Sequence, residues 1–282
     1  MKLGFNLLLW TGFVDDAQRA TIEALKAAGY DGIEVPLFSG TVAHYQDLGT
    51  FSKGLGLGST AVTVLPEGAS CIDESPAVRT AALDHIKWAI DCAAALNASL
   101  LAGPFHQPLG VFSGQGPTAA EFDRCVGVHQ EAARYAAAAG VSLSVEPLNR
   151  FECYFLNTAD QASALVKAVN APGYGYLYDT FHFNIEENDL ADAAARTIGA
   201  INHVHISENT RGAPGDGHIG FSKVIGQLVA SGYDGWLTVE AFGSALPDLA
   251  AATRIWRPLF ETPEDVYQTA LTTMKDALMA TR

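Results

Sequence analysis

The sequence predicts an α/β protein, a single (β/α)8 TIM barrel over residues 1–282, and three observations carry that expectation. Short apolar runs recur about every thirty residues, the length of a strand–helix–strand unit. Ala-rich amphipathic stretches separate them, and no Pro/Ser/Gly linker divides the pattern. In the later runs polar and apolar residues alternate, which gives each strand one polar face.

The first run, residues 3–10, is broken by Gly4 and Asn6; it is too short to cross a bilayer and reads as a buried strand, not a secretory leader. A helix over 16–28 ends on Ala28-Gly29-Tyr30-Asp31-Gly32 and leads into a second strand at 32–38. The third strand, 59–66, and the fourth, 99–104, flank a helix over 76–96. The next helix, 117–139, stops at Ala139-Gly140 and delivers the fifth strand, 142–148. A helix over 159–169 precedes the sixth strand, 174–180, and the seventh lies at 201–207. A helix over 221–231 ends on Ser231-Gly232-Tyr233-Asp234-Gly235 and feeds the eighth strand, 235–242, after which a last helix covers 263–281.

Eight parallel strands form either an open sheet or a closed barrel, and the alternation decides. In Leu143-Ser144-Val145-Glu146, His203-Val204-His205-Ile206 and Leu237-Thr238-Val239-Glu240 the polar set points one way, toward a barrel axis. An open sheet covered on both faces would read as a continuous apolar run. No glycine loop of the dinucleotide-binding kind follows the first strand.

Composition narrows the function. With 17 Lys plus Arg against 31 Asp plus Glu, the formal charge of −14 argues against nucleic acid or an anionic membrane as partner. A hydrophobic fraction of 49% excludes a disordered chain. Cys71, Cys92, Cys125 and Cys153 lack Cys-x-x-Cys spacing and are too sparse for a disulfide framework, so they read as buried and inert, and a cytoplasmic location is expected.

Four ionisable residues stand near the C-terminal ends of successive late strands, where barrel active sites form: Glu146, Asp179, His205 and Glu240. Three carboxylates aimed at one axis repel unless a cation sits among them. Three oxygen donors with one imidazole suit a divalent ion of the manganese, cobalt or magnesium kind better than a thiolate-type zinc site. Any one of them alone reads as a strand-end residue that caps a helix or pairs with a lysine; four at matching positions do not.

The segments Glu146-Pro147-Leu148-Asn149-Arg150-Phe151-Glu152, Asp179-Thr180-Phe181-His182, His203-Val204-His205-Ile206-Ser207-Glu208-Asn209-Thr210-Arg211 and Tyr233-Asp234-Gly235-Trp236-Leu237-Thr238-Val239-Glu240 resemble those of the sugar isomerase/epimerase barrels related to xylose isomerase. Within that superfamily they look most like the ketose 3-epimerases, which act on D-tagatose, D-psicose (allulose) and L-ribulose. The eightfold pattern extends the likeness over the whole chain, but the specific motifs lie almost entirely after residue 140. The resemblance implies one divalent metal, manganese first with cobalt or magnesium as alternatives, held by Glu146, Asp179, His205 and Glu240. It implies substrate contacts from Glu152, His182 and Arg211, a free ketose as partner, and a homodimer or homotetramer. One departure is Gly220-Phe221, where relatives commonly carry an acidic residue before the aromatic, which puts a loop contact or helix cap in doubt.

Inverting carbon 3 of a ketose requires removing the proton beside the carbonyl and returning one to the opposite face. A carboxylate is mismatched to that proton by roughly 15 pKa units, on the order of 20 kcal/mol. A divalent ion at the oxygens of carbons 2 and 3 stabilises the cis-enediolate by charge, while Arg211 and His182 hydrogen-bond the oxyanion at carbon 2. Glu146 and Glu240, from strands that face each other across part of the mouth, are the pair expected to exchange the proton, and the resemblance implies the same pair.

Other residues have two readings. Glu34 points to the axis, either to hold a substrate hydroxyl or to hydrogen-bond within the barrel, and His203 reads as support for the site rather than a ligand. Trp10, Phe105, His106, Phe181 and Trp236 are candidates for an apolar wall or for plain core, and His85 and His129 read as surface residues on helices. Residues 104–112 form a long loop expected to cover the site. Rival functions are an aldose-ketose or hydroxypyruvate-type isomerase or an inosose-processing lyase on the same barrel, the DNA-binding AP endonuclease branch, which the acidic charge disfavours, and a non-catalytic sugar binder.

Overall fold

The computed structural model describes residues 1–281 and joins eight parallel strands in sequence order, with β8 paired to β1 to close the barrel. The strands are β1 (Lys2–Asn6), β2 (Gly32–Pro36), β3 (Gly58–Val62), β4 (Ala98–Gly103), β5 (Ser142–Val145), β6 (Tyr174–Asp179), β7 (Ile201–Ile206) and β8 (Trp236–Val239). Around them lie α1 (Arg19–Ala28), α2 (Val42–Gly54), α3 (Pro76–Ala95), α4 (Ala119–Ala139), α5 (Ala159–Val169), α6 (Thr180–Glu186), α7 (Leu190–Thr197), α8 (Phe221–Ala230), α9 (Pro247–Thr253) and α10 (Pro263–Met279).

Five of the eight strands fall inside the runs read from sequence, and β1, β3 and β4 begin one residue before theirs, but most runs continue past the end of the ladder. Residues 7–10 are the clearest case. The Asn6 side chain accepts the Leu8 N–H and starts a 3-10 turn over Leu7–Leu9, so these leucines are buried at the barrel mouth and not in a strand. The long helices carry the caps that fix their starts: Thr118 and Glu121 form a capping box before α4, and Thr262 and Asp265 do so before α10. The helices α2, α6, α7 and α9 were not expected, and α9 lies beyond β8 over the mouth.

The outward faces of the strands, among them Phe5, Ile33, Val35, Leu143, Tyr176, Val204 and Leu237, pack under the helices as one apolar layer. Trp236 points inward instead and plugs the floor; a Cβ on Gly32 would come within 2.4 Å of its ring, so glycine is required there. Trp236 therefore belongs to the end of the barrel opposite the mouth and is no part of a substrate wall. Trp10 packs half-buried on Phe5 and Tyr267 at the edge of the core, and Phe105 lies in the core against His129.

The expectation that His85 and His129 are surface residues is corrected. His129 is fully buried on the inner face of α4, bonded to the Tyr174 hydroxyl and the Phe105 carbonyl oxygen. His85 is half-buried and its Nε2 lies 3.1 Å from Thr63 Oγ1. All four cysteines are buried and unpaired, and among the described residues no helix is long and apolar enough to cross a membrane.

Candidate active site and metal centre

The barrel register brings the four ligand candidates together. Asp179 and His205 are direct neighbours across β6 and β7, while Glu146 and Glu240 follow the last residues of β5 and β8. Each offers one ligand atom, and the four atoms lie within 4.8 Å of one another, with every residue buried. Two unit charges at that distance repel by about 3.5 kcal/mol at an effective dielectric of ~20, so three carboxylates call for a compensating cation. Burial, and then the charge of Glu240, push Glu146 well above the ordinary carboxylate range.

The atoms also fit a cation one by one. Asp179 uses Oδ1 to cap α6, accepting from the Phe181 and His182 amides at 2.6 and 3.1 Å, and leaves Oδ2 buried without a partner. One carboxylate thus serves as helix cap and as ligand candidate at once. His205 spends Nε2 on Glu34 Oε1 at 2.6 Å, and its Nδ1 is buried without a hydrogen bond, 3.5 Å from Asp179 Oδ2 and 3.4 Å from Glu240 Oε1. Three oxygens and one imidazole nitrogen, with Asp179 Oδ2 and His205 Nδ1 free of other hydrogen bonds, suit a divalent ion of the harder kind.

Beside this cluster stand two hydrogen-bond donors. The backbone and side-chain N–H groups of Asn149 both donate to His182 Nδ1 at 3.0 Å, which places the proton of the neutral ring on Nε2. Burial, and then the Arg211 charge, push His182 down to about 3, so the ring is neutral at physiological pH. Its Nε2 lies 3.1 Å from Arg211 Nη2, a group that also only donates, and 3.5 Å from Glu146 Oε1. Two converging donors are the arrangement that receives an oxygen carrying negative charge.

Arg211 is held firmly for this task. Its guanidinium sits 3.8 Å from the Phe181 ring and 4.8 Å from the Phe242 ring, donates to Glu240 Oε2 at 2.8 Å, and lies 3.5 Å from Glu152 Oε1. Its backbone adopts φ of 66°, a left-handed conformation costly for a non-glycine residue. The loop that follows is tied by Glu208, which accepts from the amides of Asn209, Gly215 and Ile219. That stitching stands where a helix cap is missing, since Gly220 provides no side-chain cap for α8.

Glu146, Glu152, His182, Arg211 and Glu240 line one cavity, closed on its other side by Leu8, Phe38, Val62, Leu109, Phe242 and Leu249. Leu109 belongs to the loop after β4, which is anchored by Gln107 to the Phe155 amide and borders the cavity as expected. Phe181 lies against Arg211, whereas His106 is buried outside the cavity lining with Nε2 donating to the Glu146 carbonyl oxygen. Most of this apolar wall has no signal in the sequence, because its members are scattered: Leu8, Phe38 and Leu109 after β1, β2 and β4, Val62 at the end of β3, and Phe242 and Leu249 after β8. Glu34 hydrogen-bonds within the barrel: burial alone would raise it, but the charges and hydrogen bonds of His205 and His203 win and hold it well below the carboxylate range.

Comparison with known proteins places this site in a family. Residues 22–277 match the family described as xylose isomerase-like TIM barrel. A ketose 3-epimerase of Arthrobacter globiformis is 32% identical over 99% of this chain and 98% of its own length. An L-ribulose 3-epimerase of Mesorhizobium japonicum is 31% identical, covering 92% and 88%. The crystal structure of a D-allulose 3-epimerase from Methylomonas sp. in complex with D-allulose superimposes with a TM-score of 0.90 at 29% identity, covering 98% of this chain and 97% of that one.

Proposed function

The chain belongs to the xylose isomerase-like TIM barrel family, and from that membership and the geometry of its site we propose that it is a divalent-metal-dependent ketose 3-epimerase acting on free ketoses of the tagatose, psicose/fructose or ribulose type. The observation that carries this reading is the convergence, at one cavity, of a four-ligand cation cluster, which reaches it through Glu146 and Glu240, with the paired donors of His182 and Arg211.

Glu146, Asp179, His205 and Glu240 hold the metal, with manganese first and cobalt or magnesium as alternatives. When bound, the ion supplies positive charge beside the ketose oxygens and lowers the cost of the enediolate. His182 Nε2–H and Arg211 receive the carbon 2 oxygen as its charge grows, and Glu152, bonded by Asn149 Nδ2 at 2.9 Å, accepts from a neighbouring hydroxyl. Glu146 and Glu240, after strands three apart around the mouth, both line the cavity; one takes the carbon 3 proton and the other returns a proton to the opposite face. The wall of Leu8, Phe38, Val62 and Leu249 packs against the far end of the sugar and excludes water.

The reading extends to one domain over residues 1–282, a cytoplasmic location supported by the four unpaired cysteines, and a homodimer or homotetramer. Large apolar side chains exposed on the mouth loops, Val111, Phe112, Phe151 and Trp256, support assembly, which size-exclusion chromatography with light scattering measures. Incubating the protein with manganese and tagatose, fructose or ribulose in D2O tests the reaction. The expected product is the carbon 3 epimer with deuterium at carbon 3; an aldose product would instead establish the isomerase alternative.

A further inference from the structure

We infer that Glu34 is a positioning residue that fixes the tautomer of His205 and thereby selects the ring nitrogen offered to the metal; this rests on the metal-site reading above. Glu34 lies on β2, fully buried, and reaches across the barrel interior to β7. Four groups meet its two oxygens. Asn6 Nδ2 donates to Oε1 at 3.1 Å and His205 Nε2 lies 2.6 Å from the same atom. Thr60 Oγ1 donates to Oε2 at 2.9 Å, with His203 Nε2 at 2.7 Å.

An ionised carboxylate has about four acceptor positions, so these four contacts saturate it. No position is left for a substrate hydroxyl or a carboxyl proton, and both histidines must therefore present N–H to it. In a neutral ring the proton on Nε2 leaves a lone pair on Nδ1. For His205 that lone pair faces Asp179 Oδ2 and Glu240 Oε1 at 3.5 and 3.4 Å, three acceptors that a bound cation satisfies together. The other tautomer would aim an N–H at the carboxylates and leave Nε2 and Glu34 as two opposed acceptors. Asn6 extends the support, since its Nδ2 also lies 3.3 Å from Glu240 Oε1 and ties that ligand to the same hub.

Nothing in the spacing of the sequence singles out this arrangement, because the four partners come from β1, β3 and β7. The variant Glu34→Gln keeps the size of the side chain but replaces half of its acceptor positions with an N–H2 donor. Manganese affinity, measured by competition with a chelating dye, is expected to fall 10–100-fold, as for loss of other partners of metal-bound histidines. The visible spectrum of the cobalt form should change with it. Thr60→Val removes a neutral donor from the same carboxylate without touching His205, and should hold manganese within about threefold of wild type. A merely structural role would move both variants in parallel.

A second measurement needs no variant. Nitrogen-15 NMR of the histidines in magnesium-loaded wild type should show His205 protonated on Nε2 alone. Protonation on Nδ1, or wild-type manganese affinity in a folded Glu34→Gln protein, overturns the inference; if that variant does not fold, the wild-type tautomer decides. Failure of the metal-site reading looks different, because wild type itself would then bind no divalent ion.

Discussion

The two halves of this barrel divide the work unequally. Strands β5 to β8 and the turns after them place Glu146, Glu152, Asp179, His182, His205, Arg211 and Glu240 around one cavity. Strands β1 to β4 bring to the same cavity Leu8, Phe38, Val62 and Leu109, and their polar residues, Asn6, Glu34 and Thr60, face inward to hold the other half in place. The same strand geometry thus builds a reactive wall and a passive wall, and the difference lies in which residues stand at the strand ends and in the turns after them. Charge that develops during reaction is met by the second half alone, so substitutions there should act on turnover, whereas those in the first half should act on binding.

The largest expected effect is on the proton-transferring pair. Glu146→Gln or Glu240→Gln should lower epimerisation by at least about a thousandfold while far-UV circular dichroism stays unchanged. Near-normal turnover in either variant would remove that residue from the mechanism. Metal removal with EDTA should likewise abolish turnover and lower the melting temperature, with manganese or cobalt restoring both. A loss of stability with turnover intact would turn the ion into a structural one.

Arg211→Lys comes next. Lysine keeps the charge but loses the planar fork that spans Glu240, the His182 side and two aromatic rings, so kcat should fall about a hundredfold with little change in KM. A rise in KM with kcat preserved would mean that Arg211 only holds substrate.

Why one half could be read from the sequence and the other could not follows from the same division. Glu146, Asp179, His205 and Glu240 repeat once per strand–helix unit, so spacing alone aligned them at one height. The wall on the first half has no period. Leu8 is buried because Asn6 turns the chain after β1, and Trp236 faces the floor because Gly32 and Gly58 leave room for its ring. The helix α2 carries Gly49, where a Cβ would meet the Leu96 backbone at 2.5 Å; close packing against α3 demanded a residue that weakens the helical pattern. His129 looked exposed on a long Ala-rich helix, and only its partners Tyr174 and Phe105, distant in sequence, make it core.

His129 gives a smaller prediction at the seam between the halves. Burial pushes it down to about 4 from its ordinary 6.5, so it is neutral in the fold at physiological pH and free to protonate once unfolded. Its contribution to stability is present in full above pH 6.5 and is lost as the pH falls toward 4, at up to about 1.4 kcal/mol per pH unit. Urea unfolding of His129→Gln across that window should show a shallower decline than wild type. An unchanged slope would assign the acid sensitivity to other groups, such as His106, which burial also pushes down to about 3.

The smallest effect is expected on the passive wall, and it tests the division most directly. Phe38 is half-buried beside Leu8, Val62 and Phe242, and offers the sugar only apolar contact. That contact is the same for the ketose and for the enediolate, so it contributes to binding both equally and cannot accelerate the step between them. Phe38→Ala should therefore raise KM three- to tenfold, about 0.7–1.4 kcal/mol, and leave kcat within about a factor of two. The shift should be larger for ketohexoses than for ketopentoses, since the longer chain reaches further along this wall. If kcat fell a hundredfold instead, Phe38 would be orienting the reacting carbon, and the boundary between the two halves would have to be drawn through the wall itself.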